Sequence, residues 1–220
     1  MRTTARALAI AVAASGSLLT ASPALAVPTP TPSTLPSTLP SVSPKQDLGL
    51  LAPAKASVTH PAVQQKYGMW CAPATLSAIL RTYGYSRTQE QLAKQMETDN
   101  KKGTPSKNIR LVFNSYINDK GFTMAWGKTK DPNALLNNIA HDVGVLKRAT
   151  AIIVDADLMP YTNGSGAPNI HMVTVRGYDK AKRTVTVWDP ANNRTNGNHT
   201  VSVKTLSKAA DPIGYLDISR

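Results

Sequence analysis

Apolar positions in the middle of the chain recur with a helical period. Leu76, Ile79, Leu80 and Tyr83 fall at i, i+3, i+4 and i+7, which predicts a helix over residues 73–83 that Gly84 ends. Thr88 to Met96 is predicted as a second helix, with Thr88 as N-cap and Gln91 completing a capping box. Ser106 to Asn118 is a third, with Ile109, Val112, Phe113 and Tyr116 on one side. Pro132 to Lys147 is a fourth, built on Leu135, Leu136, Ile139, Val143 and Leu146. The period then shortens to two. Ala151–Val154, Met172–Tyr178 and Thr184–Trp188 are predicted strands, and His199–Val203 and Gly214–Ile218 add two more. Helices first and an antiparallel sheet second predict an α+β domain.

The N-terminal part follows neither period. Residues 1–26 read as a secretory signal peptide: Arg2 and Arg6 are followed by an apolar run from Ala7 to Leu19 and by Ala24-Leu25-Ala26, with cleavage expected after Ala26. That run falls short of the ~20 apolar residues of a membrane span, and no other stretch is long and apolar enough, so no stable membrane insertion is expected. Residues 27–58 are rich in Pro, Ser and Thr, and eight of the sixteen prolines lie between Pro28 and Pro61. Such a composition cannot bury enough apolar surface to offset its ordering entropy, so an extended, disordered tether is expected, without the helical period of an inhibitory propeptide. Residues 59–220 remain as one domain with a core of its own.

Charge narrows the partners only slightly. The formal net charge is +12, and loss of Arg2 and Arg6 with the signal would leave +10. The cations are scattered without an interleaved aromatic pattern, so nucleic acid is not expected, and an anionic cell surface fits an exported protein better. Asn163-Gly164-Ser165, Asn193-Arg194-Thr195 and Asn198-His199-Thr200 match the short glycosylation acceptor pattern.

Cysteine changes the picture. An oxidising compartment usually pairs cysteines, yet this chain has one, Cys71. It precedes a predicted helix whose Pro73 needs no N–H partner in the first turn. The free N–H groups and the positive end of the dipole therefore favour the thiolate, the nucleophilic form. Gln65, six positions upstream, places an amide in the approach to that helix, where it could join the Cys71 N–H in holding an oxyanion. A thiolate needs a base. His60, His141 and His199 read as surface histidines, whereas His171 opens a strand beside the Gly/Asn-rich loop 163–166. Folding the next hairpin about residue 180 sets His171 opposite Asp189 on one face, within hydrogen-bonding reach. No His/Cys/carboxylate cluster has metal-ligand spacing, so neither a zinc site nor any other cofactor is expected.

Gln65 to Leu76, His171 to Tyr178 and Val187-Trp188-Asp189-Pro190 resemble the papain-like domains related to the bacteriocin-processing, double-glycine leader peptidases. The resemblance runs from about Val63 to about Asn192, and the helix start Gly103-Thr104-Pro105-Ser106 fits it. It implies a papain-like α+β fold with the Cys on the helical part and the His and Asp on the sheet. It further implies thiol peptidase chemistry on a peptide or protein substrate, with roles for Gln65, Cys71, His171 and Asp189. There are departures. Ala72 stands where the family often has Gly after the Cys. No transporter segments occur in the chain, so the double-glycine substrate does not carry over. Cys71 and His171 are 100 positions apart (171 − 71), closer than in papain itself. The expected function is a secreted cysteine peptidase working through an acyl-enzyme on Cys71 with His171 as base. A cysteine amidohydrolase or acyltransferase on a non-protein amide would use the same groups. A silent papain-like module that binds peptide or cell wall would be told apart by an unreactive Cys71.

Overall fold

The computed structural model describes residues 44–127, 130–162, 170–193, 195–210 and 214–220. The predicted signal segment, the tether as far as residue 43 and the loop 163–169 lie outside the described residues, as does Arg194.

The predicted helices form, each for the expected local reason. α2 (Cys71–Leu80) buries Leu76, Ile79 and Leu80 completely and continues into a 3₁₀ turn, Arg81–Tyr83, that ends at Gly84 in left-handed backbone. α3 (Gln89–Gln95) carries the predicted capping box between Thr88 and Gln91. α4 (Ser106–Ile117) buries Ile109, Phe113, Tyr116 and Ile117. α5 (Pro132–Ile139) is capped by Asp131 and then widens into a π-helical turn, Ala140–Val145, where a plain helix was predicted.

Among the described residues, seven antiparallel strands form one sheet. They are β1 (Lys55–Ser57), β2 (Thr123–Gly127), β3 (Thr150–Asp155), β4 (Ile170–Asp179), β5 (Thr184–Asp189), β6 (Gly197–Ser202) and β7 (Gly214–Ser219). The order is β2-β7-β3-β4-β5-β6, with β1 added to the far end of β4. Alternation along β3 divides two cores. Ala151 and Ile153 pack with Leu76, Ile79 and Phe113 of α2 and α4. Ile152 and Val154 pack with Leu136 and Ile139 of α5 and Leu206 of α6 (Val203–Ala210). Each fully buried side chain of this size contributes about 1.5–3 kcal/mol, so helices cover both faces. β2, a helix over Pro44–Leu51 (α1), β1 and α6 were not predicted; the strand expected over His199–Val203 stops at Ser202, and α6 takes over from Val203.

The tether expected over residues 27–58 needs a correction. Pro44–Leu51 forms a helix, α1, packed on α5 and the π turn. A Cβ on Gly49 would lie 2.2 Å from the carbonyl oxygen of Asn137, so the two backbones meet closely there. Lys180 Nζ donates to the carbonyls of Gly49 (2.9 Å), Leu50 (3.2 Å) and Ala52 (2.6 Å), closing the C-terminal end of α1. β1 then pairs Lys55 with Asp179 and Ser57 with Gly177. Composition hid this, because the partners of 44–57 lie more than 70 positions away.

Candidate active site

α2 brings Cys71 to the site on its first residue. Its N-cap, Trp70, makes no side-chain cap, and Pro73 has no N–H, so the first turn offers backbone donors to other groups. Cys71 is partly exposed as a residue, with its thiol turned into the protein where burial opposes ionisation.

β4 brings His171 and β5 brings Asp189. Nε2 of His171 bonds Oδ1 of Asp189 at 2.7 Å, with both side chains buried. A carboxylate only accepts, so the proton on this bond belongs to Nε2, which leaves Nδ1 for the thiol side. The register is not the predicted one. Thr174 pairs with Trp188 and Val175 with Val187, two positions from the expected pairing, with a bulge between Val175 and Gly177. A shift of two preserves the face that a shift of one would have reversed, so His171 and Asp189 still meet. The same Asp189 oxygen accepts the N–H of Ala191 at 2.8 Å, which holds the carboxylate in the Asp-Pro turn.

Cys71 and His171 line one cleft and are coupled as charges. Burial opposes ionisation of both. For His171, the Asp189 hydrogen bond and the contact and charge of Cys71 outweigh burial and push the imidazole up to about 10. For Cys71, the His171 contact and charge, with the backbone N–H groups of Met172 and Ala72, outweigh burial and bring the thiol below its ordinary value. The thiol–imidazole contact is looser than the Asp189 bond, for Nδ1 makes no hydrogen bond of ordinary geometry. Catalytic hydrogen bonds often tighten only when substrate binds. The arrangement can hold a thiolate beside an imidazolium.

Gln65 is buried next to this group, and its backbone N–H donates to the carbonyl of Pro190 at 2.7 Å. Its side chain points its donors elsewhere: Nε2 bonds the carbonyls of Tyr67 (3.0 Å) and Gly68 (2.8 Å). The amide thus braces the loop that leads into α2. His60 and His141, read as surface residues, are buried: His60 packs edge-on against Trp188, and His141 bonds Asp142 at 3.0 Å. His199 is half-buried and stacks on Tyr161. Among the described residues, no three His, Cys, Asp or Glu side chains gather as a metal site.

Sequence reasoning missed two groups. The Tyr161 phenol packs near Asp189, whose charge and burial raise its pKa. A cleft of about 120 Å³ opens beside Cys71 and His171, walled by Met69, Ile153 and Met172 and by the turn that carries Lys102. No periodic or spacing signal links these positions, since separate segments far apart in the chain build the site.

A family model described as the Peptidase_C39 like family matches residues 58–217, most of the chain. The chain belongs to the Peptidase_C39 like family. It is a cysteine peptidase of papain-like α+β fold, as the resemblance implied. A C39-like peptidase from Bacillus anthracis is similar at 15% identity and a TM-score of 0.54, over 76% of this chain and 98% of that one. The peptidase domain of Streptococcus ComA, a bifunctional ABC transporter, is similar at 18% identity and a TM-score of 0.50, over 71% and 94%. Xylellain, a cysteine protease from Xylella fastidiosa, is similar at 13% identity and 0.51, over 81% and 90%. At these identities the structures speak for the fold. No curated protein sequence matches the chain significantly.

Proposed function

We propose that this C39-like chain is an exported peptidase that cleaves peptide bonds through an acyl-enzyme on Cys71. The observation that carries the reading is the line from Cys71 through His171 to buried Asp189, with the thiol lowered and the imidazole raised. The Cys71 sulfur attacks the peptide carbonyl carbon. The first-turn N–H of Cys71 holds the oxyanion, and Gln65 joins it by exchanging one loop carbonyl for the oxyanion. His171 gives its proton to the leaving nitrogen as the C–N bond breaks. It then takes a proton from water, whose oxygen attacks the thioester and returns the thiolate. Asp189 keeps the ring oriented throughout.

Export rests on Arg2, Arg6, the run to Leu19 and Ala24-Leu25-Ala26. Among the described residues no helix is long and apolar enough to cross a membrane. An anionic cell surface remains the partner that the charge of +10 fits.

The test uses protein recovered from culture medium. Its intact mass should begin at Val27. On a mixed peptide library it should release new fragments that Cys71→Ala does not. A recovered protein that retains residues 1–26 would overturn export by cleavage. Equal fragments from both proteins, or none from either, would overturn the peptidase mechanism.

A further inference from the structure

The turn Asp99–Gly103 is fastened to the segment that presents the nucleophile. Its backbone closes on itself, Asp99 N–H to Gly103 O at 3.0 Å and Gly103 N–H to Asp99 O at 2.9 Å. Asp99 Oδ1 accepts the N–H groups of Lys101 and Lys102, each at 2.7 Å. Trp70, the residue before Cys71, donates its indole N–H to Asn100 Oδ1 at 2.7 Å. Below the turn, the hydroxyls of Thr98 and Thr104 bond at 2.8 Å. Lys102 therefore stands on a braced turn at the wall of the cleft that Cys71 and His171 also line.

Among the described residues of that wall, Lys102 alone carries a fixed charge. The charge is reinforced nearby. Lys101, Lys107 and Arg110 are exposed on the same turn and the start of α4. Between Glu97 and Arg110 there are four cations and two acids. Asp99, held by the N–H groups of Lys101 and Lys102, lies within the field of Lys102, and Glu97 bonds the Asn108 amide at 3.2 Å, so the segment keeps a positive excess of two. The apolar part of the lining is made by Met69, Ile153 and Met172, with Met69 packed against Gly103 beside Lys102. A bound peptide therefore meets one fixed positive charge set in a largely apolar lining.

We propose that this site selects peptides carrying an acidic side chain near the scissile bond, read by Lys102. The assignment rests on the peptidase reading above and names its substrate class. Charge complementarity at the cleft favours the acidic partner, and a cation there meets repulsion.

The experiment varies each position flanking the scissile bond among Glu, Gln and Lys in an otherwise constant peptide carrying Leu. For wild type, kcat/KM for Glu should exceed that for Lys at one position by on the order of tenfold. The ratio should shrink from low salt to 1 M, where the screening length falls to about 3 Å. Lys102→Glu should invert it. Cleavage without charge preference, or a preference unmoved in Lys102→Glu, overturns the role of Lys102 and leaves the peptidase reading standing. If no peptide is cleaved, the peptidase reading fails, and alkylation of Cys71 still decides on Lys102. Anionic iodoacetate should gain over neutral iodoacetamide in wild type and lose that gain in Lys102→Glu. An equal ratio in the two proteins overturns the proposal.

Discussion

His171 and Asp189 lie two residues off direct opposition across β4 and β5, yet Nε2 and Oδ1 meet at 2.7 Å. A diagonal pair of long side chains on one face is within reach of contact. Their bond is the strongest force raising the His171 pKa against burial. Asp189→Asn should therefore lower that pKa from about 10, because burial stays while the carboxylate is lost. The alkaline limb of kcat/KM should move to lower pH, with a loss of about tenfold for each pH unit above the new value. A pH–rate profile of the two proteins checks this; an unmoved limb would separate Asp189 from the base.

Between the lowered Cys71 pKa and about 10 the site should hold thiolate beside imidazolium. Iodoacetamide should accordingly alkylate wild type at pH values below the range in which an ordinary thiol ionises. His171→Ala should lose that low-pH reaction and follow a plain thiol curve. An identical profile for both proteins would remove the catalytic pair.

The raised His171 pKa also carries a stability sign. A group whose folded pKa is above its unfolded 6.5 contributes stability fully below 6.5 and loses it as pH rises through about 10. The thermal midpoint of wild type should fall relative to His171→Ala across that window. Parallel curves would mean that the imidazole is not held charged by the fold.

α1 sits so close to α5 that Gly49 has no room for a methyl group. Gly49→Ala should cost about 1–3 kcal/mol, the usual range for overpacking. Truncation to Val58 removes α1 and β1 and should lower the thermal midpoint, whereas truncation to Ser43 should leave it nearly unchanged. Equal midpoints for the two truncations would mean that α1 and β1 contribute nothing to the domain.

Gln65 braces its loop in the resting structure, with Nε2 on two carbonyls. If it turns to the oxyanion during reaction, Gln65→Ala should lose on the order of 10²–10³ in kcat while Cys71 alkylation persists. A loss of thermal stability with kcat retained would confine Gln65 to the loop.

What the sequence by itself determined was set by neighbours along the chain. The capping box at Thr88 and Gln91, the buried face of α2 and the place of Cys71 at a helix start all depend on residues a turn or two apart. The parity of His171 and Asp189 survived an error of register because the bulge between Val175 and Gly177 turns the odd shift near the hairpin end into an even one. Tertiary structure decided the rest. β1 became a strand only by pairing with β4, and α1 was held by Lys180 and packs closely on the backbone at Asn137, far along the chain. Buried His60, read as a surface residue, is covered by Trp188 from β5. The turn that carries Lys102 is tied to the segment before Cys71 by an indole on one and an amide on the other. Each of these contacts joins residues whose separation in sequence carries no periodic signal, so the free energy that fixes them is visible only once the chain has closed on itself.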